Sequence, residues 1–417
     1  MNGVLGHIER QGGLVPLNEV GVQGTTLERL TKKVQDRIVK EYGEILASAR
    51  VNVERRKQLA RIIGSIVASE DGWGKFGGDR RIYELIADEI VGFGPIEPPI
   101  RDPQVQEIMI NGPDEVFVER DGVLCKTEIK FRSESHLMDV IARLIAPSGR
   151  RVDQSSPYCD ARLPDGSRVN VIIPPLAVDG PTVTIRKFGT RQMTCGDLVK
   201  RGTMTQEMAE FLARAVRSRL NIIITGGASS GKTSTLNALS EHIDPAERVI
   251  TIEDSAELRL TNKHVVRLET RPTNFEGRGE VTMRDLLRNA LRMRPDRIII
   301  GEVRGEEAFE LLQALNTGHA GSLSTLHANG PEDAVVRFSD MVMMAGSGLP
   351  YDRVRRQVLQ VIDLVVHLHR NPEGHRYVRQ ICATDGVQVV QVVAYTGNGQ
   401  AEFFQLPARL AERMERR

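Results

Sequence analysis

Residues 226 to 233, Gly226-Gly227-Ala228-Ser229-Ser230-Gly231-Lys232-Thr233, read G-x-x-x-x-G-K-T. That spacing suits a loop that holds phosphates. Its glycines let the backbone turn so that several N–H groups and a helix N-terminus converge on phosphate oxygens. Lys232 offers a point charge to the outer phosphates, and the Thr233 hydroxyl is placed to ligate Mg²⁺. With Ser234 added, nine positions are the candidate nucleotide-binding residues.

Three more apolar runs end in residues suited to the same chemistry. Arg248 to Ile252 leads into Glu253-Asp254 and then Glu257; Arg297 to Ile300 leads into Gly301-Glu302; Ser322 to Leu326 leads into His327, with Gly318-His319 just ahead. Ligands of parallel α/β sheets collect at the carboxyl ends of the strands, so all four endings can meet one nucleotide.

Phosphoryl transfer needs a metal, a positioned water and positive charge on the phosphates. Glu302 fills the acidic position at the end of an apolar strand, read as lying next to the strand of the phosphate loop. Glu253 or Asp254 could equally orient the water or reach Mg²⁺, which makes Thr233, Glu253 and Glu302 the candidate metal ligands. His327 suits a neutral donor to a γ-phosphate, whereas His319 alone carries little signal. Arg168 and Arg186 stand well outside this core. An arginine delivered across a domain or subunit boundary is worth ~10³ to 10⁵ in rate, so both are candidate triggers. Arg284, Arg288 and Arg292 recur every fourth residue, as a face paired with acids or as a track for a partner.

The elements that position these groups follow from periodicity. Asn221 to Thr225 is a short β-branched strand and Ser234 to Leu239 begins a helix, which gives the loop its strand–loop–helix setting. Alternating strands and helices beyond it predict a largely parallel α/β sheet, closed by a hairpin around Gly397-Asn398-Gly399. Upstream, residues 79–190 mix short strands and helices, among them a hairpin around Arg120-Asp121-Gly122, and predict an α+β domain. Residues 1–78 hold a glycine-rich, flexible lead-in and two amphipathic stripes, Leu27, Leu30, Val34, Ile38, Tyr42, Ile45 and then Leu59, Ile62, Ile63, Ile66, Val67, the first opened by a Thr25-x-x-Glu28 capping box. Residues 191–204 read as a linker, and 205–417 as the nucleotide-binding domain.

Composition narrows the classes. With 56 Lys+Arg against 55 Asp+Glu and 4% aromatic residues, the chain lacks the basic excess and stacking platform of a general nucleic-acid binder. Four scattered cysteines give neither a zinc site nor a disulfide framework. The start lacks the order of a signal peptide and no apolar run approaches ~20 residues, so a cytoplasmic protein with only peripheral membrane contact is expected.

Taken together, Ile250 to Asp254 with Glu257-Leu258, Leu291-Arg292-Met293-Arg294-Pro295-Asp296 with Gly301-Glu302, and Thr317 to Gly321 through Thr325 to Asn329 resemble the Asp box, Walker B region and His box of the type II/type IV secretion ATPase superfamily. Gly92-Phe93-Gly94-Pro95 with Glu107 to Gly112 is similar to its CpaF-like, Tad pilus assembly branch. The resemblance covers about 80 to 385. It implies a RecA-like P-loop C-terminal domain behind a PAS-like α+β domain, ATP and Mg²⁺ as cofactors, and a hexameric homo-oligomeric ring. It also implies inner-membrane platform partners and ATP hydrolysis driving pilin assembly or substrate export. On this pattern Glu253 and Glu302 are the catalytic acids, His327 a phosphate sensor, and Arg168 and Arg186 arginines facing the nucleotide. The four-cysteine zinc motif of the pilus-extension branch is missing, and Ala228-Ser229 stands where Thr-Gly is common. Two other classes remain to be weighed: a nucleotide-gated assembly scaffold with incidental turnover, and a RecA-like nucleic-acid motor.

Overall fold

The computed structural model describes residues 24–45, 53–69, 80–120, 122–189, 193–273, 278–397 and 399–415. The expected lead-in over residues 1 to about 24 lies outside these residues, as do Asp121, Asn398 and the side chains of Thr25, Leu27 and Glu28. The chain divides into two compact units, residues 1–190 and 191–417.

In the first unit, helices α1 (Gly24–Glu41), α2 (Val53–Ser69) and α3 (Arg80–Ile90) pack as a cluster. Leu30, Val34 and Ile38 of α1 meet Leu59, Ile63, Ile66 and Val67 of α2 and Ile82 and Ile86 of α3, so the two amphipathic stripes cover the helix that opens the α+β domain. A short helix α4 (Glu97–Arg101) leads to the strands β1 (Val105–Asn111), β2 (Val116–Arg120) and β3 (Val123–Lys126). Helix α5 (Glu134–Ile145) separates them from β4 (Tyr158–Arg162), β5 (Arg168–Ile172) and β6 (Thr182–Arg186). All six strands form one antiparallel sheet in the order β3-β2-β1-β6-β5-β4. Alternate residues such as Ile108, Val169 and Ile185 point into a core shared with Leu137, Val140 and Ile141 of α5.

The second unit begins with a correction. The stretch 191–204, expected as a linker, holds helix α6 (Cys195–Lys200), with Cys195 and Leu198 buried beside Met204. Thr194 and Asp197 close a reciprocal capping box: the Asp197 N–H donates to Thr194 Oγ1 at 3.1 Å and the Thr194 N–H to Asp197 Oδ2 at 3.2 Å. The surrounding Gly, Thr and Arg mask this Thr-x-x-Asp signal.

Helix α7 (Gln206–Arg217) and strand β7 (Ile222–Gly226) follow, then α8 (Lys232–Ser240), β8 (Val249–Glu253), β9 (Val265–Glu269), α9 (Met283–Ala290) and β10 (Arg297–Val303). Next come α10 (Glu307–Asn316), β11 (Leu323–Leu326), α11 (Pro331–Met344), α12 (Tyr351–Val361) and β12 (Leu364–Arg370). The antiparallel strands β13 (Arg376–Thr384), β14 (Val389–Tyr395) and β15 (Ala401–Phe403) and helix α13 (Ala408–Glu415) close the unit. The nine-stranded sheet runs β15-β14-β13-β12-β7-β11-β10-β8-β9, parallel from β12 to β9 and antiparallel beyond.

Strand β7 is covered on both faces, with Ile222 and Ile224 in one core and Ile223 in the other. Each such burial is worth ~1.5 to 3 kcal/mol. Asn221 pins the start of β7 to both neighbours. Its Oδ1 accepts the N–H groups of Gly321 and Ser322 at 2.8 and 3.2 Å, and its Nδ2 donates to Val361 O at 2.8 Å.

This order corrects a second expectation. The strands flanking β7 are β11 and β12, so β10, which carries Glu302, is one strand removed and β8 two. Glu302 also lies inside β10 rather than beyond it. Crossover connections set strand order in a parallel sheet, and nothing local to an apolar run encodes it.

Candidate functional site

The loop's shape rests on its glycines. Gly226 has φ +149°, and a Cβ there would stand 2.6 Å from both Leu368 O and Ser230 Oγ. Gly231, at φ +96°, is the N-cap of α8 and makes no side-chain cap, so the first N–H groups of the helix face the loop. Lys232 is buried at the mouth of the loop. Its Nζ donates to Gly226 O at 3.1 Å and Gly227 O at 2.8 Å, and stands 3.4 Å from the His327 ring nitrogens.

Three of the four strand endings meet here. His327 Nε2 lies 2.9 Å from Glu302 Oε1, and Glu302 Oε2 accepts from Arg304 Nη2 at 2.6 Å. Burial opposes charge on Glu302, yet Arg304, His327 and Lys232 outweigh it and hold the carboxyl below its ordinary range. Burial and then the Lys232 ammonium push His327 down, so its imidazole is neutral at pH 7.

Glu253 is different. It is 3% exposed, and its Oε2 is spent on the N–H groups of Glu257 and Leu258 at 2.8 and 2.9 Å, while its buried Oε1 has no hydrogen-bond partner among the described residues. Gly301 on β10 makes room for it, since a Cβ there would sit 2.9 Å from Glu253 Cγ. Burial pushes the Glu253 carboxyl up to about 7, against those two N–H bonds.

A stability prediction follows from the sign of that shift. A carboxyl raised from 4.5 to about 7 stabilises the fold fully below pH 4.5 and loses that contribution as pH rises through about 7. The span is worth up to ~3 kcal/mol. Glu253→Gln should therefore melt higher than wild type at pH 8 in chelator without nucleotide, with the gain vanishing near pH 5. A difference that does not depend on pH would show that Glu253 is ionised at little cost.

The remaining candidates fall into place separately. Thr233, half-buried, is the second residue of α8, and Asp254 is exposed at the end of β8, 3.3 Å from Arg304 Nη1. His319 is half-buried, with Nδ1 3.3 Å from Ala314 O. Arg284 pairs with Glu306 and Glu310, and Arg288 with Glu310, while Arg292 lies past the end of α9. The acid-paired reading of that face holds for the first two. In the other unit, Arg168 and Arg186 are register partners on β5 and β6, half-buried and exposed respectively, and Arg186 Nε stands 3.8 Å from Glu107 Oε1.

Several neighbours escaped the sequence. Arg304 bridges Glu302 and Asp254. His367 on β12 contacts Thr225 Oγ1 through Nδ1 at 3.0 Å, behind the loop. Arg162 is the register partner of Arg168, so three arginines stand in a row across β4, β5 and β6. Such pairings are long-range, and only the Gly301-Glu302-x-Arg304 spacing could have drawn attention to one of them.

The donor set fits a magnesium nucleotide. Thr233, Glu253 and Glu302 offer only oxygen, as Mg²⁺ prefers, and Ser230 Oγ and Glu253 Oε1 are buried without hydrogen-bond partners among the described residues, at the loop and beside it. Elsewhere Cys195, Glu241 and His242 gather their ligand atoms within 4.8 Å. There Glu241 Oε1 already accepts the Cys195 N–H at 3.1 Å, at the start of α6.

The model of the Type II/IV secretion system protein family matches residues 89–402. The chain belongs to this family. Among its relatives, the Type IV secretion system protein VirB11 of Brucella suis biovar 1 is 33% identical over 302 residues, covering 66% of this chain and 84% of its own. The conjugal transfer protein TrbB of Rhizobium radiobacter is 33% identical over 291 residues, covering 68% and 85%. The X-ray structure of the ATPase DotB from Legionella pneumophila superposes with a TM-score of 0.50 at 23% identity, over 68% of this chain and 78% of its own, and shares the fold. As a family member, the chain has a RecA-like C-terminal domain that follows an α+β domain in sequence. Among the described residues, no helix is long and apolar enough to cross a membrane.

Proposed function

We propose that this secretion-family protein hydrolyses ATP and works as the motor of a pilus-assembly or secretion machine, as a homo-oligomeric, hexameric ring docked to inner-membrane platform proteins from the cytoplasmic side. The observation that carries the hydrolysis is the convergence of Lys232, Glu302 and His327 within 3.4 Å at the phosphate loop. Bound Mg²⁺, with Thr233, Glu253 and Glu302 as its candidate holders, would neutralise charge on the outer phosphates. The loop N–H groups and Lys232 hold the phosphates. Glu302, ionised, orients the attacking water and accepts its proton, and neutral His327 donates to the γ-phosphate.

Arg168 and Arg186 complete the site when the α+β domain closes on the nucleotide, and that movement passes to the machine. The relatives named for type IV secretion and conjugal transfer support the machine class. The Tad-like assignment rests on Gly92-Phe93-Gly94-Pro95 and Glu107 to Gly112.

Binding of a fluorescent ATP analogue with Mg²⁺ tests the first step. Wild type should bind it and Lys232→Ala should bind it far more weakly; equal affinities would remove the loop from the site.

A further inference from the structure

Arg304 stands one residue past β10, on a line of contacts that crosses the ends of several strands. Its backbone N–H donates to Glu307 Oε1 at 2.6 Å, where Gly305 N–H also donates at 2.9 Å, so the start of α10 fixes its backbone. From there Nη2 reaches Glu302 Oε2 at 2.6 Å and Nη1 reaches Asp254 Oδ2 at 3.3 Å. The other Glu302 oxygen is 2.9 Å from His327 Nε2, and the His327 ring is 3.4 Å from Lys232 Nζ. One guanidinium thus ties the end of β8 to the end of β10 and turns the carboxylate of Glu302 toward the phosphate loop.

We propose that Arg304 is a positioning residue for hydrolysis, which anchors Glu302 to Asp254 and holds the carboxylate facing His327 and Lys232. This inference rests on the proposed ATPase function. A glutamate at a strand end has three side-chain torsions to lose, and a single ammonium could meet one of its oxygens without also reaching Asp254. The planar fork of an arginine can hold two acids at once, and it separates Glu302 from Asp254, whose charges would otherwise repel across adjacent strands. Arg304 touches neither the loop nor His327 in the contacts described, so its effect passes through Glu302.

The test uses the full-length chain with Arg304→Ala, Arg304→Gln and Arg304→Lys. The expected result is a kcat lowered ~10- to 100-fold in the Ala and Gln variants, the size usual for residues that orient a catalytic group. KM and binding of an ATP analogue should stay within about twofold, and Lys should restore part of kcat, because it keeps the contact to Glu302 without the bridge. Unchanged kcat, or a parallel loss of binding with Lys no better than Ala, overturns the proposal. Wild type and Glu302→Gln are run alongside. Should wild type show no turnover that Glu302→Gln removes, the ATPase function itself fails. The positioning claim is then read from a crystal structure of Arg304→Gln or Arg304→Ala: a Glu302 carboxylate swung away from His327 supports it, and one still within hydrogen-bond reach overturns it.

Discussion

Arg186→Ala is expected to lower ATP turnover by ~10³- to 10⁵-fold, the range for an arginine that meets transition-state charge on a transferring phosphoryl group. Arg186 is exposed at the end of β6, opposite Arg168 on β5, with Arg162 next in the same row. Like charges on directly paired strand positions destabilise a sheet. Of the acids near this row, Glu107 lies 3.8 Å from Arg186, too far for a strong hydrogen bond. A polyphosphate brought to this face would meet positive charge where its own negative charge develops. Such a loss would mean that Arg186 meets the nucleotide during turnover. Phosphate release by purified Arg186→Ala measures it, and turnover within about twofold of wild type would show that Arg186 takes no part in the chemistry.

Glu302→Gln is expected to lower turnover by ~10²- to 10⁴-fold while leaving nucleotide binding intact. The amide keeps the shape and can still accept from Arg304, but it carries no charge and cannot take a proton from water. Glu302 is held ionised against its burial chiefly by Arg304, with Lys232 adding to it, whereas Glu253 is pushed up to about 7, with one oxygen tied to its own loop. On the proposed function, this division would give Glu302 the greater part in activating water and leave Glu253 Oε1 for the metal or its waters. A Glu302→Gln protein that turns over normally would transfer the role to Glu253. One that is inactive yet still supports assembly in cells would favour the scaffold over the motor.

Much of this was legible because phosphate chemistry fixes residue types at fixed offsets. The loop from Gly226 to Thr233 must turn and then start a helix, and α8 starts at Lys232. The stripe of Leu30, Val34 and Ile38 needed only a 3.6-residue period to be seen, and those residues are buried. The order of the strands was not legible. Local patterning locates β7, β8, β10 and β11 but leaves open that β11 lies between β7 and β10. Strand β12, which pairs with β7 and brings His367 behind the loop, was missed beside the more obvious hairpin of β14 and β15. Helix α6 was hidden by a composition that suits linkers. Arg304 carries no motif of its own, and its importance lies in two partners, one of them fifty residues away in the chain.

Phosphate release by the purified full-length chain with ATP and Mg²⁺, measured for wild type beside Lys232→Ala, tests the ATPase function most directly. Sustained turnover in wild type that Lys232→Ala reduces by ~100-fold or more is the expected result. No turnover in wild type, or equal rates in the two proteins, would contradict it.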